Sequence, residues 1–305
     1  MSNKNLIVIA GPTAVGKTST AIEIAQNLNT EIISSDSRQL FKELNIGVAK
    51  PTEQELAMVK HHFINHTSIV KRYSAGKYER EAIALIAQLF EQYDNIVVAG
   101  GTGLYIKAIT EGLDEFPEVA TRDEMFYSQL LETAGIKVLQ DDLLAKDPTY
   151  FKEVDIDNPR RLVRALSVIK SSGRPFSSFR NQAPKKRDFN MLSFQLTMDR
   201  EHLYKRINNR VDQMMKDGLL EEVQSLEEYK QMISLQTVGY SELFNYLKGE
   251  TTLDRAVELI KRNSRRYAKR QITWFSNNGN FIKIPSGETD QILKHIKSTL
   301  QISKT

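Results

Sequence analysis

Residues 5–27 constrain the fold of this chain more than any other stretch. A short apolar run, Leu6-Ile-Val-Ile-Ala10, leads into Gly11-Pro-Thr-Ala-Val-Gly16-Lys17-Thr18 and then into Ala21-Ile-Glu-Ile-Ala25, whose spacing is helical. Strand, glycine-bracketed turn and helix in this order predict a phosphate-binding P-loop. The reason is charge: backbone N–H groups of the turn converge with the positive N-terminus of the helix. Gly11, Pro12, Thr13, Ala14, Val15, Gly16, Lys17 and Thr18 are the expected diphosphate- or nucleotide-binding residues. Lys17 would reach the terminal phosphate, and the Thr18 hydroxyl would ligate Mg²⁺.

The following segments extend this into an α/β pattern. Glu31-Ile-Ile-Ser-Ser35 reads as a second strand and runs into Asp36-Ser37-Arg38-Gln39. Residues just past a strand's C-terminal end face the ligand crevice in such folds, so Asp36 would share a crevice with the P-loop. The same residue also suits a helix N-cap. His61-His62 resembles a metal pair, but neighbours on a helix do not face one site, and no partners stand at ligand spacing. Tyr73-Ser-Ala-Gly76 reads as a turn before an amphipathic helix over 78–93. Asn95-Ile-Val-Val-Ala99 is a third buried strand. It ends in Gly100-Gly-Thr102-Gly103, a second glycine turn with Thr102 at its tip. This strand does not end in an acid, which a motor ATPase would need to hold Mg²⁺, so small-molecule group transfer is favoured over mechanical work.

From about residue 112 the alternation stops. Asp157-Asn-Pro159 supplies a cap with proline at the first helical position. The helix after it puts Leu162, Ala165, Leu166 and Ile169 on one face and Arg160, Arg161 and Arg164 on another. Those arginines suit a nucleic-acid backbone or an ordinary solvated face. Asn190–Thr197 reads as the strand that re-enters the core. The last third reads as helical. In Arg200–Lys216 a stripe of Leu203, Ile207, Val211, Met214 and Met215 is expected to be core, with the methionines as packing. Gln236–Tyr240 reads as a polar loop. Between 261 and 270 stand six basic residues and no acid; Arg262, Arg265, Arg266 and Lys269 fall on one helix face, with Trp274 and Phe275 close by. A basic face beside aromatics suits an RNA backbone and unstacked bases better than a membrane surface.

The resulting class is α/β: a P-loop NTPase-like parallel sheet core with a helical insertion domain and a helical C-terminal part. The expected divisions are 1–111, 112–190 and 191–305. With no cysteine in 305 residues, disulfides, thiol chemistry and Cys-ligated zinc are excluded. Leu6–Ala10 is too short for a secretion signal, and no apolar run is long enough to span a bilayer. A soluble, cytoplasmic monomer with no membrane partner is expected.

These residues together resemble the bacterial tRNA dimethylallyltransferases, or tRNA isopentenyltransferases. The resemblance spans nearly the full length through GPTAVGKT (11–18), SDSRQ (35–39), GVAKP (47–51), HHFIN (61–65), YSAG (73–76), GGTGLY (100–105), DNPRRLVRAL (157–166), RINNRVDQMM (206–215), TVGY (237–240) and YAKRQITWF (267–275). Val48, Asn65 and Ser264 depart from the family's usual residues. The resemblance implies transfer of a dimethylallyl group from dimethylallyl diphosphate to N6 of adenine 37, in the anticodon loop of tRNAs reading codons that start with U. It implies Mg²⁺ as cofactor and the tRNA anticodon stem-loop as partner. It implies catalytic roles for Asp36 as proton acceptor, Lys17 and Arg210 on the diphosphate, and Thr102 against the adenine. It implies a tRNA path along Asp36, Ser37, Arg38, Gln39, Thr102, Arg122, Arg160, Arg161, Leu162, Val163 and Arg164. That path continues along Gln236, Thr237, Val238, Gly239, Tyr240 and Ser241, and then Lys269, Arg270, Gln271, Ile272, Thr273, Trp274, Phe275 and Ser276. The alternatives are a P-loop kinase of a nucleotide or small metabolite, a prenyltransferase of free adenine nucleotide, and a non-catalytic RNA-binding module.

Overall fold

The computed structural model describes residues 4–180 and 183–302. The chain divides into two compact units, Met1–Glu111 with Lys186–Thr305, and Gly112–Lys185.

The larger unit is built on a six-stranded sheet. Its strands are β1 (Asn5–Ala10), β2 (Ile32–Ser34), β3 (His61–His62), β4 (Asn95–Gly100), β5 (Asn190–Thr197) and β6 (Ile282–Pro285), in the spatial order β3-β2-β4-β1-β5-β6. All the pairings are parallel. β1 lies at the centre with every residue buried, which is why it reads as an unbroken apolar run. Ala10 of β1 stands opposite Gly100 of β4, and Ser34 of β2 opposite Ala99. The register therefore brings the P-loop, Asp36 and the second glycine turn to one edge of the sheet.

The helices of this unit begin with α1 (Lys17–Asn27), α2 (Glu53–Met58), α3 (Ala75–Gln92) and α4 (Gly103–Thr110). Ser74 caps α3 by accepting the Lys77 amide, so the expected turn at Tyr73–Gly76 is instead the start of that helix. His61-His62 lies on a short strand, not a helix. Strand neighbours also point to opposite faces: His61 pairs with the Val59 carbonyl and His62 with Glu31.

The smaller unit is all-helical: α5 (Thr121–Ala134), α6 (Ile136–Lys146), α7 (Pro148–Phe151) and α8 (Pro159–Ser172). It has its own core, centred on Tyr127, Leu139, Leu143, Leu162, Leu166 and Phe176. Asn158 caps α8 with Pro159 at the first helical position.

The chain then returns to the larger unit. The Arg187 guanidinium donates to the carbonyls of Ala108 and Ile109 and pairs with Glu79. After β5 come α9 (Arg200–Lys216), α10 (Leu219–Ser225), α11 (Tyr240–Leu247), α12 (Leu253–Asn277) and α13 (Thr289–Ile302). The expectation of an all-helical last third omits β6. That strand is four residues long at the sheet edge and buries only Ile284, too little alternation to mark it in sequence. Among the described residues, no helix is long and apolar enough to cross a membrane.

Candidate active site

A cavity of about 630 Å³ lies over the C-terminal edge of the sheet in the larger unit. Thr13, Ala14, Gly16, Lys17 and Thr18 form its floor. Gly16 has φ +107°, a left-handed turn that glycine enters without strain. No side chain caps α1, so its first N–H groups remain available to an anion. Val15 is fully buried and serves packing. The Lys17 ammonium donates to the Pro12 carbonyl at 2.8 Å. Burial pushes Lys17 down to about 8, against the pull of Asp36 and with the help of Arg210. Arg210 is lowered as well, by burial and by Arg206. Lys17, Arg206 and Arg210 gather at one cavity, where only Asp36 and Glu55 oppose their charge in part, so an anion would relieve the site.

Asp36, Ser37, Arg38 and Gln39 form the opposing wall. Asp36 Oδ1 accepts the amides of Arg38 at 2.9 Å and Gln39 at 3.3 Å. One carboxylate oxygen thus caps a turn rather than a helix, while the residue also lines the cavity. Arg38 extends away to the carbonyl of Ser234 at 2.9 Å. Gln39 donates to the Ala49 carbonyl at 2.9 Å and steadies the loop 47–50.

Thr102 stands behind Ser37 and does not line the cavity. Its hydroxyl accepts the Ser37 amide at 3.0 Å, donates to the Ser37 hydroxyl at 3.2 Å and bonds Tyr267. Burial pushes the Tyr267 phenol up to about 12, so it stays protonated and able to donate.

Helix α12 ties the two glycine turns together. Gln271 accepts the Thr13 amide at 2.8 Å and donates to the Gly101 carbonyl at 2.9 Å. A Cβ at Gly101 would stand 2.3 Å from the Gln271 amide, and one at Gly103 2.3 Å from the Trp274 ring. The second glycine turn is therefore glycine-rich because α12 packs directly onto its backbone.

The other expected residues divide by burial. On α12, Lys269, Arg270, Ile272, Thr273 and Ser276 are exposed, Trp274 is half-buried, and Phe275 is core. The basic face is split: Arg262 and Arg266 reach solvent, whereas Arg265 donates to Asn208 at 2.6 Å. Lys261 pairs with Asp212. Gln236 is exposed, Thr237, Val238 and Gly239 line the cavity, and Ser241 is half-buried. Tyr240 is 0% exposed, its hydroxyl on Glu222 at 2.5 Å. In the smaller unit Arg160, Arg161 and Arg164 are exposed on α8, Val163 is half-buried and Leu162 is core. Arg122 is exposed beside Asp123 on α5. Leu162, Tyr240 and Phe275 thus offer no side-chain surface to a partner; they hold their neighbours in place.

Sequence reasoning passed over Glu222. Its carboxylate accepts the amides of Asn45, Ile46 and Gly47 as well as the Tyr240 hydroxyl, fixing the loop that roofs the cavity. Nothing in the spacing announces a contact across so much chain. Arg206 was passed over as well, although its place four residues before Arg210 on one helix face could have revealed it. Ile207 and Val211 are core as expected and also border the cavity, whereas Met214 is only half-buried along it.

Comparisons with known proteins point to one family. The IPP transferase family matches residues 39–278. The chain is 51% identical over 275 residues to the tRNA dimethylallyltransferase of Christiangramia forsetii, covering 90% of this chain and 91% of that protein. It is 44% identical to that of Flavobacterium johnsoniae, covering 98% of this chain and 99% of that one. Among solved structures it is similar to the full-length tRNA isopentenylpyrophosphate transferase of Bacillus halodurans. There the TM-score is 0.73 and the identity 34%, over 99% of this chain and 98% of the other. With a family match over most of its length and relatives alike from end to end, the chain belongs to the IPP transferase family.

Proposed function

We propose that this chain transfers a dimethylallyl group from dimethylallyl diphosphate to N6 of adenine 37 in the anticodon loop of tRNA. The observation that carries this reading is one cavity with a diphosphate cradle on its floor and a carboxylate, Asp36, on the facing wall. The P-loop amides, Lys17 and Arg210 would bind the diphosphate and offset the charge that grows on it as it leaves. The N6 lone pair attacks C1 of the dimethylallyl group. The C1–O bond breaks, its electron pair departs on diphosphate, and the N6 proton passes to Asp36. Ser37, held by Thr102, presents a hydroxyl beside Asp36 for the purine ring. A stacked base cannot enter such a cavity, so adenine 37 must be extruded. The exposed arginines of α8 and the exposed basic residues of α12 suit the tRNA backbone.

The donor set also fits Mg²⁺. The Thr18 hydroxyl would hold the ion at the P-loop, and no cluster of three or more His, Cys, Asp or Glu exists among the described residues. That is the sparse oxygen coordination Mg²⁺ accepts when substrate phosphates and water complete its shell. Bound there, the ion would neutralise diphosphate charge.

The test is incubation with radiolabelled dimethylallyl diphosphate, Mg²⁺ and total tRNA, followed by digestion to nucleosides. Label in N6-dimethylallyladenosine is expected. Turnover of ATP to ADP with no label in tRNA would overturn the reading in favour of a kinase.

A further inference from the structure

Helix α9 carries two stripes into the cavity. Arg206 and Arg210 stand four residues apart, and Ile207, Val211 and Met214 follow the helical spacing beside them. At 1.5 Å of rise per residue the stripes run parallel along the helix. The cationic stripe meets the P-loop end, where Lys17, Arg206 and Arg210 line the same cavity. Ile207 and Val211 are both 2% exposed, so they are rigid parts of the wall. Met214 is only half-buried. It is the outermost apolar residue of the stripe and an unbranched, adaptable side chain.

We propose that this stripe is the prenyl-binding wall and that Met214 closes its far end, setting the donor's chain length at one isoprene unit. The proposal rests on the reading of the cavity as a dimethylallyl-transfer site. A diphosphate seated on Lys17 and Arg210 lays its C5 tail past Val211, and the tail ends against Met214, about 6 Å beyond Arg210 along the helix. A second isoprene unit needs the space that Met214 fills. Such a boundary discriminates by steric exclusion, which an apolar pocket does far better against larger substrates than against smaller ones.

The experiment measures kcat/KM for dimethylallyl and geranyl diphosphate with tRNA, identifying N6-geranyladenosine by mass after digestion. Inhibition by pyrophosphate is measured in parallel. The parent should prefer the C5 donor by roughly 10²-fold or more. Met214→Ala should raise the geranyl-to-dimethylallyl ratio by at least about tenfold, with pyrophosphate inhibition unchanged. Met214→Trp should raise KM for dimethylallyl diphosphate, again with pyrophosphate inhibition unchanged. An unaltered donor ratio in Met214→Ala, with normal dimethylallyl transfer and pyrophosphate inhibition, overturns the assignment of Met214. Equal use of both donors by the parent overturns it too. Failure of the parent to transfer dimethylallyl at all instead overturns the reading of the site.

Discussion

Lys17 shows how one buried side chain links ligand and pH. Its folded pKa, about 8, lies below the ordinary 10.5 because the ammonium is desolvated. Below pH 8 the fold carries a buried charge that the unfolded chain keeps solvated. Between about 8 and 10.5 the unfolded chain binds more protons at this position, so the Lys17 contribution to stability rises with pH across that window. A bound diphosphate supplies the opposite charge and raises the pKa again. Pyrophosphate binding should therefore take up a proton at Lys17 above about pH 8 and weaken as pH climbs, approaching tenfold per unit. Lys17→Met should bind more weakly at neutral pH and lose that part of the slope. Titration calorimetry of both proteins from pH 7 to 9.5 tests this, and identical slopes would contradict it. Thr102 makes a complementary point. Its hydroxyl is engaged by Ser37, and it thereby fixes that residue at the cavity wall.

At the scale of the element, α12 has three faces with three jobs. Ile260, Ala268 and Phe275 are core, Gln271 clamps the two glycine turns, and the outer face carries Arg262, Arg266, Lys269 and Arg270. Only the outer face was readable from composition, because charge without acid stands out in a sequence. The clamp was not, because its two partners lie far away in the chain. Replacing Arg266 and Lys269 with Ala should lower tRNA affinity and reduce its salt slope by roughly one unit per lost phosphate contact. Pyrophosphate inhibition should stay as it was. A filter-binding series from 50 to 300 mM salt measures the slope, and an unchanged value would assign these residues to solvation alone. Arg265 is a poor choice for this test, since its loss also frees Asn208 in the α9 contact.

At the scale of the whole molecule, the residues that were legible share a physical property: their signal is local. The P-loop, Asp36 at a strand end, the Asn158–Pro159 cap and strands β1, β2, β4 and β5 each declare themselves within a few residues. What stayed hidden depends on chain returning from afar, as with Glu222 roofing the cavity, Gln271 bridging its turns and β6 completing the sheet. Ile207 and Val211 are the core residues their spacing announces, but that they also border the cavity with Met214 was not readable, because a cavity wall and a core face have the same periodicity. The two-unit division leads to a further expectation. Arg187 bonds the carbonyls of Ala108 and Ile109, so the larger unit brings together the chain on either side of the insertion. Replacing 112–185 by a short Gly-Ser linker should leave a folded α/β unit that binds pyrophosphate within about threefold of the parent, as expected where the joined ends already meet. That unit should bind tRNA with a lower salt slope, having lost Arg160, Arg161 and Arg164.

The claim on which the account turns is that Asp36 accepts the N6 proton across the cavity from the diphosphate. Asp36→Asn keeps the shape and an Oδ1 able to accept the Arg38 and Gln39 amides, so the turn survives. It can still hydrogen-bond the adenine amine, but it cannot take its proton. The most direct measurement is single-turnover transfer at saturating tRNA and dimethylallyl diphosphate, with both affinities measured alongside. The account predicts near-normal affinities and a transfer rate lower by about 10²–10⁴. Transfer within a few-fold of the parent would reduce Asp36 to a turn cap and place the base elsewhere.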